Sequence, residues 1–445
     1  MLPSIAIASF AVLAHAAVPR RRASNDDSLA PLQFTSEGTF QIAVFSDLHF
    51  GQLESTTGPA QDSKSVEVIS SVLDSDPPDL VVLNGDLING DSTHAHNSTH
   101  YVDQIVAPIV KRNLTWASTY GNHDNQINIA AKDILKREQM WPGCRTQKMV
   151  DEKKSGVSNY YLVVYPANCT DSAKCTPELL LWFFDSRGGN FYEEGSHQEN
   201  WVDTSVVSWF NETNTKLVTK YKKVIPSLAF VHIPINATEA LQTQLGINAN
   251  KQPGLNYDPP VPQQGESWCE SGVRDPDKCS YGGQDEPFME ALVSIPGIMG
   301  LFYGHDHGNS WCYQWNTQLD GMDVKGNGLH LCYGQHSGYG GYGDWVRGAR
   351  EIVVTQDKLQ DLVVDTHIRL ETGDVVGAVT LNSTYNTDHY PAMPGVEAYV
   401  GNDFGVINSN AALTESAGSS MRARESGGVY LAIGASMAAV VCLCI

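Results

Sequence analysis

Positive charge is what this sequence lacks most. Lysine and arginine number 29 against 50 aspartates and glutamates, a formal net charge of −21 at pH 7. That balance argues against nucleic acid and anionic membrane surfaces as partners, since both require basic patches. An acidic chain can still handle phosphates where bound cations supply the positive charge. Charge of either sign is scarce, at 18% of residues against the usual ~25%. No fixed-period repeat is visible, which argues against a solenoid or propeller. Aromatics are not scarce: nine Trp, eighteen Tyr and thirteen Phe exclude a disordered chain. The length of 445 residues allows two or three domains at roughly 100–200 residues each.

The two ends read as targeting segments. Residues 1–17 hold an apolar run, Ile5–Ala14, closed by the small residues Ala14, Ala16 and Ala17, as in a secretory signal. Arg20–Arg22 follow, either as a processing site or as a solvated basic cluster, within a linker over 18–38. At the other end, Val429–Ile445 carries no charge, behind a polar spacer and the small residues Ser416–Ser420. Small site, spacer and apolar tail form the pattern of a glycosylphosphatidylinositol (GPI) signal, with a short transmembrane anchor as the alternative. The expected division is a catalytic domain over 39–383, a polar linker over 384–418 with the candidate GPI site, and a removed signal over 419–445. The expected location is the extracellular face, with membrane contact only through the lipid. Sequons at Asn97, Asn113, Asn168, Asn211, Asn236 and Asn382 are the expected glycosylation sites. Close cysteine pairs 169/175, 269/279 and 312/332 suit disulfides in an oxidising compartment. Cys144 is left over and could displace one of these partners.

Between the ends, strand-like and helix-like segments alternate, the α/β signature. Phe40–Phe45, Asp79–Asn84, Thr115–Tyr120, Tyr160–Tyr165, Leu179–Phe184, Leu228–Val231 and Ile298–Tyr303 read as strands. Ser63–Asp74 and Tyr101–Val110 have helical apolar spacing, the second with a kink expected at Pro108. Asn248–Gly283 reads as a long loop pinned by Cys269 and Cys279. Five short polar blocks follow the apolar strands, where open α/β sheets bind ligands. They are Ser46-Asp47-Leu48-His49, Asn84-Gly85-Asp86, Gly121-Asn122-His123-Asp124, His232, and Gly304-His305-Asp306-His307. Singly each is weak, because a strand-end Asp is often a cap and a lone His is often structural. As a set they supply the mixed oxygen and imidazole ligands that suit Zn, Mn or Fe. Residues two apart on a strand share a face, so Asp47 and His49 are expected to point one way, as are His305 and His307.

These blocks, in this order, resemble the calcineurin-like metallophosphoesterases, and the resemblance spans residues 40–370. Gly304–Asn309 with Cys312, and Gly338–Gly343 with Arg347–Arg350, resemble fungal and plant single-domain purple-acid-phosphatase-like proteins. The resemblance implies a four-layer α-β-β-α sandwich around two metal ions, divalent or mixed-valence. It assigns Asp47, His49 and His307 to one ion and Asn122, His232 and His305 to the other, with Asp86 bridging. It makes His123 the general acid and Asp124 the residue that orients it. It also implies a tyrosine three residues after the bridging aspartate, where this sequence has Asn89. The expected activity is phosphomonoester hydrolysis, with a phosphodiesterase or nucleotidase as the near alternative and a non-catalytic surface binding protein as the distant one. Tyr339, Tyr342 and Trp345 read as packing of a Gly-rich turn before substrate lining, and Arg187 as a surface arginine before a phosphate ligand.

Overall fold

The computed structural model describes residues 29–94, 98–190, 197–259 and 261–394. The leader, the tail and Asn97 lie outside the described residues. In chain order the strands are β1 (Leu32–Gln33), β2 (Thr39–Phe45), β3 (Leu80–Asn84), β4 (Trp116–Thr119), β5 (Tyr160–Tyr165), β6 (Leu179–Phe183), β7 (Ser227–Phe230), β8 (Ile298–Tyr303), β9 (Cys312–Trp315), β10 (Leu329–Tyr333), β11 (Gly348–Thr355), β12 (Val364–Leu370) and β13 (Val375–Leu381). The α-helices are α1 (Gly58–Ser75), α2 (His100–Lys111), α3 (Ala131–Glu138), α4 (Thr204–Tyr221), α5 (Asn236–Ala240) and α6 (Glu286–Ser294). They build a six-stranded sheet, β13-β12-β11-β2-β3-β4, and a seven-stranded sheet, β1-β5-β6-β7-β8-β10-β9.

Strand β2 shows how the layers arise. Successive side chains leave a strand on opposite faces. Phe40, Ile42 and Val44 therefore enter one apolar layer with Leu181, Phe183, Phe230 and Phe302 of the other sheet. Ala43 and Phe45 enter a second layer with Ile69 and Val72 of α1, Ile105 of α2 and Ile134 of α3. A third layer joins Trp182, Ala229 and Leu301 to Val206 and Phe210 of α4 and Phe288 of α6. Helix, sheet, sheet, helix is the four-layer sandwich the sequence led us to expect. Strands covered on both faces explain the unbroken apolar runs of β3 and β6.

Several local expectations change. Helix α2 contains Pro108 and runs through it to Lys111, one residue past the expected end, and the Arg112 guanidinium donates to the Pro108 carbonyl (2.8 Å). Arg187 is neither a surface residue nor a phosphate ligand. It is 5% exposed, and its guanidinium donates to the Trp201 and Lys154 carbonyls. Among the described residues the cysteines pair 169–175, 269–279 and 312–332, leaving Cys144 free. Among the described sequons, Asn113, Asn168 and Asn211 are exposed, while Asn236 and Asn382 are half-buried. No helix among the described residues is long and apolar enough to cross a membrane.

One buried carboxyl makes the fold pH-sensitive. Glu138 is 0% exposed and accepts from the Ser118 and Thr146 hydroxyls at 2.8 and 2.9 Å. Burial pushes it up from 4.5 to about 7, against the pull of those hydroxyls. The folded chain thus keeps a proton that the unfolded chain releases near 4.5. This contribution to stability is complete below about pH 4.5 and is lost as pH rises through about 7. Glu138→Gln should flatten the decline in stability between about pH 5 and 8, as read by urea unfolding at stepped pH. An unchanged slope would place the proton elsewhere.

Candidate metal centre

The parallel strands β2, β3 and β4 of one sheet, and β7 and β8 of the other, deliver the five polar blocks to one place. The turn geometry is unusual there. Asp47, His49, Asp86 and His305 all have positive φ, at 58°, 48°, 50° and 78°. That left-handed region is sparsely populated by residues other than glycine, and such outliers gather at functional sites. Strand alternation is therefore not what aims these side chains, because β2 ends at Phe45 and β8 at Tyr303. Asp47 and His49 still converge, and they do so with His307; His305 goes instead with Asp86 and His232. The expectation that His305 and His307 share a face is corrected by this split.

The distances describe two groups with Asp86 between them. Asp47 Oδ1 lies 3.6 Å from His307 Nε2, and His49 Nε2 lies 3.1 Å from His307 Nε2. Asp86 Oδ2 lies 3.1 Å from His232 Nε2 and 3.8 Å from His49 Nε2. Three imidazoles have their outer nitrogen on a backbone carbonyl: His232 Nδ1 on Asn84 (2.9 Å), His305 Nε2 on Pro262 (3.0 Å) and His307 Nδ1 on Tyr342 (2.9 Å). A carbonyl only accepts, so at His232 and His305 the outer nitrogen holds the hydrogen and a neutral ring turns a lone pair inward, while His307 Nδ1 also faces the Tyr342 N–H (3.3 Å). His49 departs from this pattern, since its Nδ1 is buried without a partner.

Electrostatics follow from burial. It lowers His49 and His305 to about 3, which leaves both rings neutral. It raises Asp47 to about 6. Burial also opposes charge on His232 and Asp86, but each overrides it for the other: Asp86 lifts His232 to about 10, and His232 holds Asp86 well below the usual range. A protonated His232 thus stands where cation charge is called for.

These donors fit a pair of metal ions. Lone pairs from several imidazoles and carboxylate oxygens converge in three overlapping groups of three ligand-type residues, one of them His49, Asp86 and His123. Asn122 Oδ1, beside His123 in the chain, is buried with no hydrogen-bond partner. Close packing leaves no slack. A Cβ on Gly121 would sit 2.2 Å from Asp86 Oδ1 and 2.5 Å from His232 Cδ2, and one on Gly85 would sit 2.4 Å from His232 Nδ1.

His123 lies at the edge of both groups. It is half-buried, its backbone N–H donates to Asp86 Oδ1 (2.8 Å), and its ring meets that of His49 edge-on at 4.8 Å. Asp124 does not orient it. The Asp124 oxygens accept from the N–H groups of Leu87 and Ile88 (both 2.9 Å) and of Gly121 (2.9 Å), while His123 Nδ1 has no partner. Asp124 therefore ties the Asp86 turn to the Asn122 turn. Asn89 is buried, with its Nδ2 3.4 Å from the Ser92 hydroxyl.

The sequence reading missed what stands behind the histidines. Tyr342 packs as expected, but against a ligand candidate: its ring stacks on His307 at 4.0 Å. Asp258 and Pro262 come from the long Asn248–Gly283 loop, where nothing in the residue pattern marks them. The Tyr342 signal was the Gly-rich run around it, which lets backbone approach His307 closely.

The model of the calcineurin-like phosphoesterase domain matches residues 40–309. Two similar curated proteins are the "Probable inactive purple acid phosphatase 29" of Arabidopsis thaliana and the "Phosphatase DCR2" of Saccharomyces cerevisiae. The first is 27% identical over 353 residues, covering 74% of this chain and 79% of its own. The second is 27% identical over 323 residues, covering 69% of this chain and 50% of its own. Among solved structures, a dimetal phosphatase from Danio rerio aligns with 77% of this chain and 99% of its own, at 12% identity and a TM-score of 0.46. The matched segment runs from β2 through the His305–His307 turn, more than half of the chain, and the protein belongs to the calcineurin-like phosphoesterase family of metal-dependent phosphoester hydrolases.

Proposed function

We propose that the protein is a secreted, surface-tethered hydrolase of phosphomonoesters with a dinuclear metal centre. The observation that carries the hydrolytic reading is the buried Asp86, placed between two groups of buried and half-buried imidazoles of which three rings rest on backbone carbonyls. Asp47, His49 and His307 would hold one ion, Asn122, His232 and His305 the other, and Asp86 both; Fe, Zn and Mn all suit this set. When bound, two such ions would neutralise phosphate oxygens and lower the pKa of a water. The chain's own residues do the rest. Asp124 and the three carbonyls hold the ligands in place, and His123 stands at the half-open edge to give a proton to the departing oxygen. In a chain of net charge −21, phosphate is drawn by the centre and not by the surface at large.

The preference for monoesters draws on relatives named as phosphatases. The word "inactive" in the plant relative's name favours a second reading, a surface binding protein. Against it, all seven ligand positions here hold side chains able to ligate, and His123 is present. Secretion is supported by the three disulfides and by exposed sequons. The lipid tether remains the reading of the 429–445 segment. Purified protein should carry two metal equivalents and hydrolyse monoesters faster than diesters. Two equivalents with diester turnover alone would make it a phosphodiesterase, and two equivalents with neither would favour the binding protein.

A colour follows from Asn89. An amide cannot give the tyrosinate-to-iron charge transfer of the purple relatives. Tyr342, beside His307, donates its hydroxyl to Asp258. Active, metal-loaded protein should therefore show no strong visible absorption band. Such a band would mean that another tyrosine ligates the metal.

A further inference from the structure

Tyr342 touches His307 in four ways. The His307 backbone N–H donates to the Tyr342 hydroxyl oxygen (3.0 Å), His307 Nδ1 lies 2.9 Å from the Tyr342 carbonyl oxygen and 3.3 Å from the Tyr342 N–H nitrogen, and the rings stack nearly parallel at 4.0 Å and 8°. The hydroxyl hydrogen goes to Asp258 Oδ2 (2.5 Å), which also accepts the N–H of Gly308 (2.7 Å). Asp258 is 4% exposed, and Tyr257 before it donates its N–H to the Gly308 carbonyl (3.0 Å). Four residues further along the same loop, Pro262 offers its carbonyl to His305 (3.0 Å). The loop thus reaches a candidate ligand of each ion, directly at His305 and through Tyr342 at His307.

We infer that Asp258 and Tyr342 are positioning residues for the metal centre: Asp258 fixes the Tyr342 hydroxyl, and Tyr342 fixes the ring of His307. This rests on the dinuclear reading above. A carboxylate that takes both the phenol and the N–H next to the ligand sets the ring plane from two sides. The ring then needs no reorientation when a cation arrives. Partners of this kind change metal affinity by about 10- to 100-fold.

The test is a cobalt(II) and zinc(II) titration of the full chain, followed by elemental analysis and by the cobalt visible spectrum. It compares wild type, Tyr342→Phe, Asp258→Ala, the double variant and His307→Ala, each with a circular dichroism melt. Tyr342→Phe keeps the stack and the carbonyl and loses only the hydroxyl. It should weaken one of two metal equivalents by about 10-fold or more, change the cobalt spectrum, and leave the other equivalent and the melt in place. The double variant should be no worse than Asp258→Ala, because the aspartate acts through the phenol. Unchanged isotherms for Tyr342→Phe, while His307→Ala loses an equivalent, would overturn the inference alone. Additive losses in the double variant would overturn the route through Tyr342. If His307→Ala keeps both equivalents at wild-type affinity, His307 is not a ligand and the inference falls, whereas fewer than two equivalents in wild type would overturn the dinuclear reading itself.

Discussion

Asp86→Ala should leave a folded protein that holds neither metal equivalent and turns over no phosphoester. One carboxylate serves both halves of the site, with Oδ2 3.1 Å from His232 and 3.8 Å from His49, and Oδ1 on the His123 N–H. Without it each group drops to its own ligands, and His232 loses the charge that it faces. Because Asp86 sits at a φ of 50°, where Ala costs roughly 1–2 kcal/mol and Asn less, Asp86→Asn is the control with the less strained backbone. Gly121→Ala should approach the same result with no functional group removed. Its methyl would fall 2.2 Å from Asp86 Oδ1 and 2.5 Å from the buried His232 ring. Neither can move away without leaving its place in the site. Misplacement of this order, roughly 1 Å, costs on the order of 10²-fold in rate. Elemental analysis beside turnover reads both variants. Two ions retained in Asp86→Ala would show that Asp86 is not the bridge.

The residues that do the chemistry were legible because their types are rare in combination and each follows an apolar strand. The inner layers were legible for the same reason, since Phe40-x-Ile42-x-Val44 declares its faces. What escaped was set by backbone and by distance along the chain. No residue pattern announces that Asp47, His49, Asp86 and His305 turn through positive φ, so strand alternation gave the right partner for Asp47 and the wrong one for His305. Asp124 belongs to the motif, yet its oxygens are spent on three backbone N–H groups, which only coordinates reveal. Arg187 looked like surface because charge usually is; here backbone carbonyls replace water around it. Asp258 lies 49 residues before His307 in a loop without periodicity. Strand β12 is different: Val364, Thr366, Ile368 and Leu370 alternate with outward polar residues, a pattern that was there to be read.

His123 carries the remaining decision, because two of its features pull apart. Its ring nitrogens lie close enough to His49 and Asp86 to form a third ligand-type group. Its half-exposed position and unpartnered Nδ1 suit a proton donor at the edge of the site. His123→Ala should keep both metals. With an alkyl phosphate it should lose the general-acid contribution, ~10²–10⁴-fold, or roughly 3–5 kcal/mol of barrier. With a nitrophenyl phosphate the loss should be much smaller, because that leaving group departs without a proton. Metal analysis on the same samples separates the outcomes. Equal slowing of both substrates with metals in place would make His123 a phosphate-binding residue. Loss of a metal would move it into the ligand set, and the proton for the leaving group would then have to come from a residue not assigned above. The size of the gap between the two substrates is the direct reading. It depends on the basicity of the leaving oxygen, which neither metal content nor substrate binding alters.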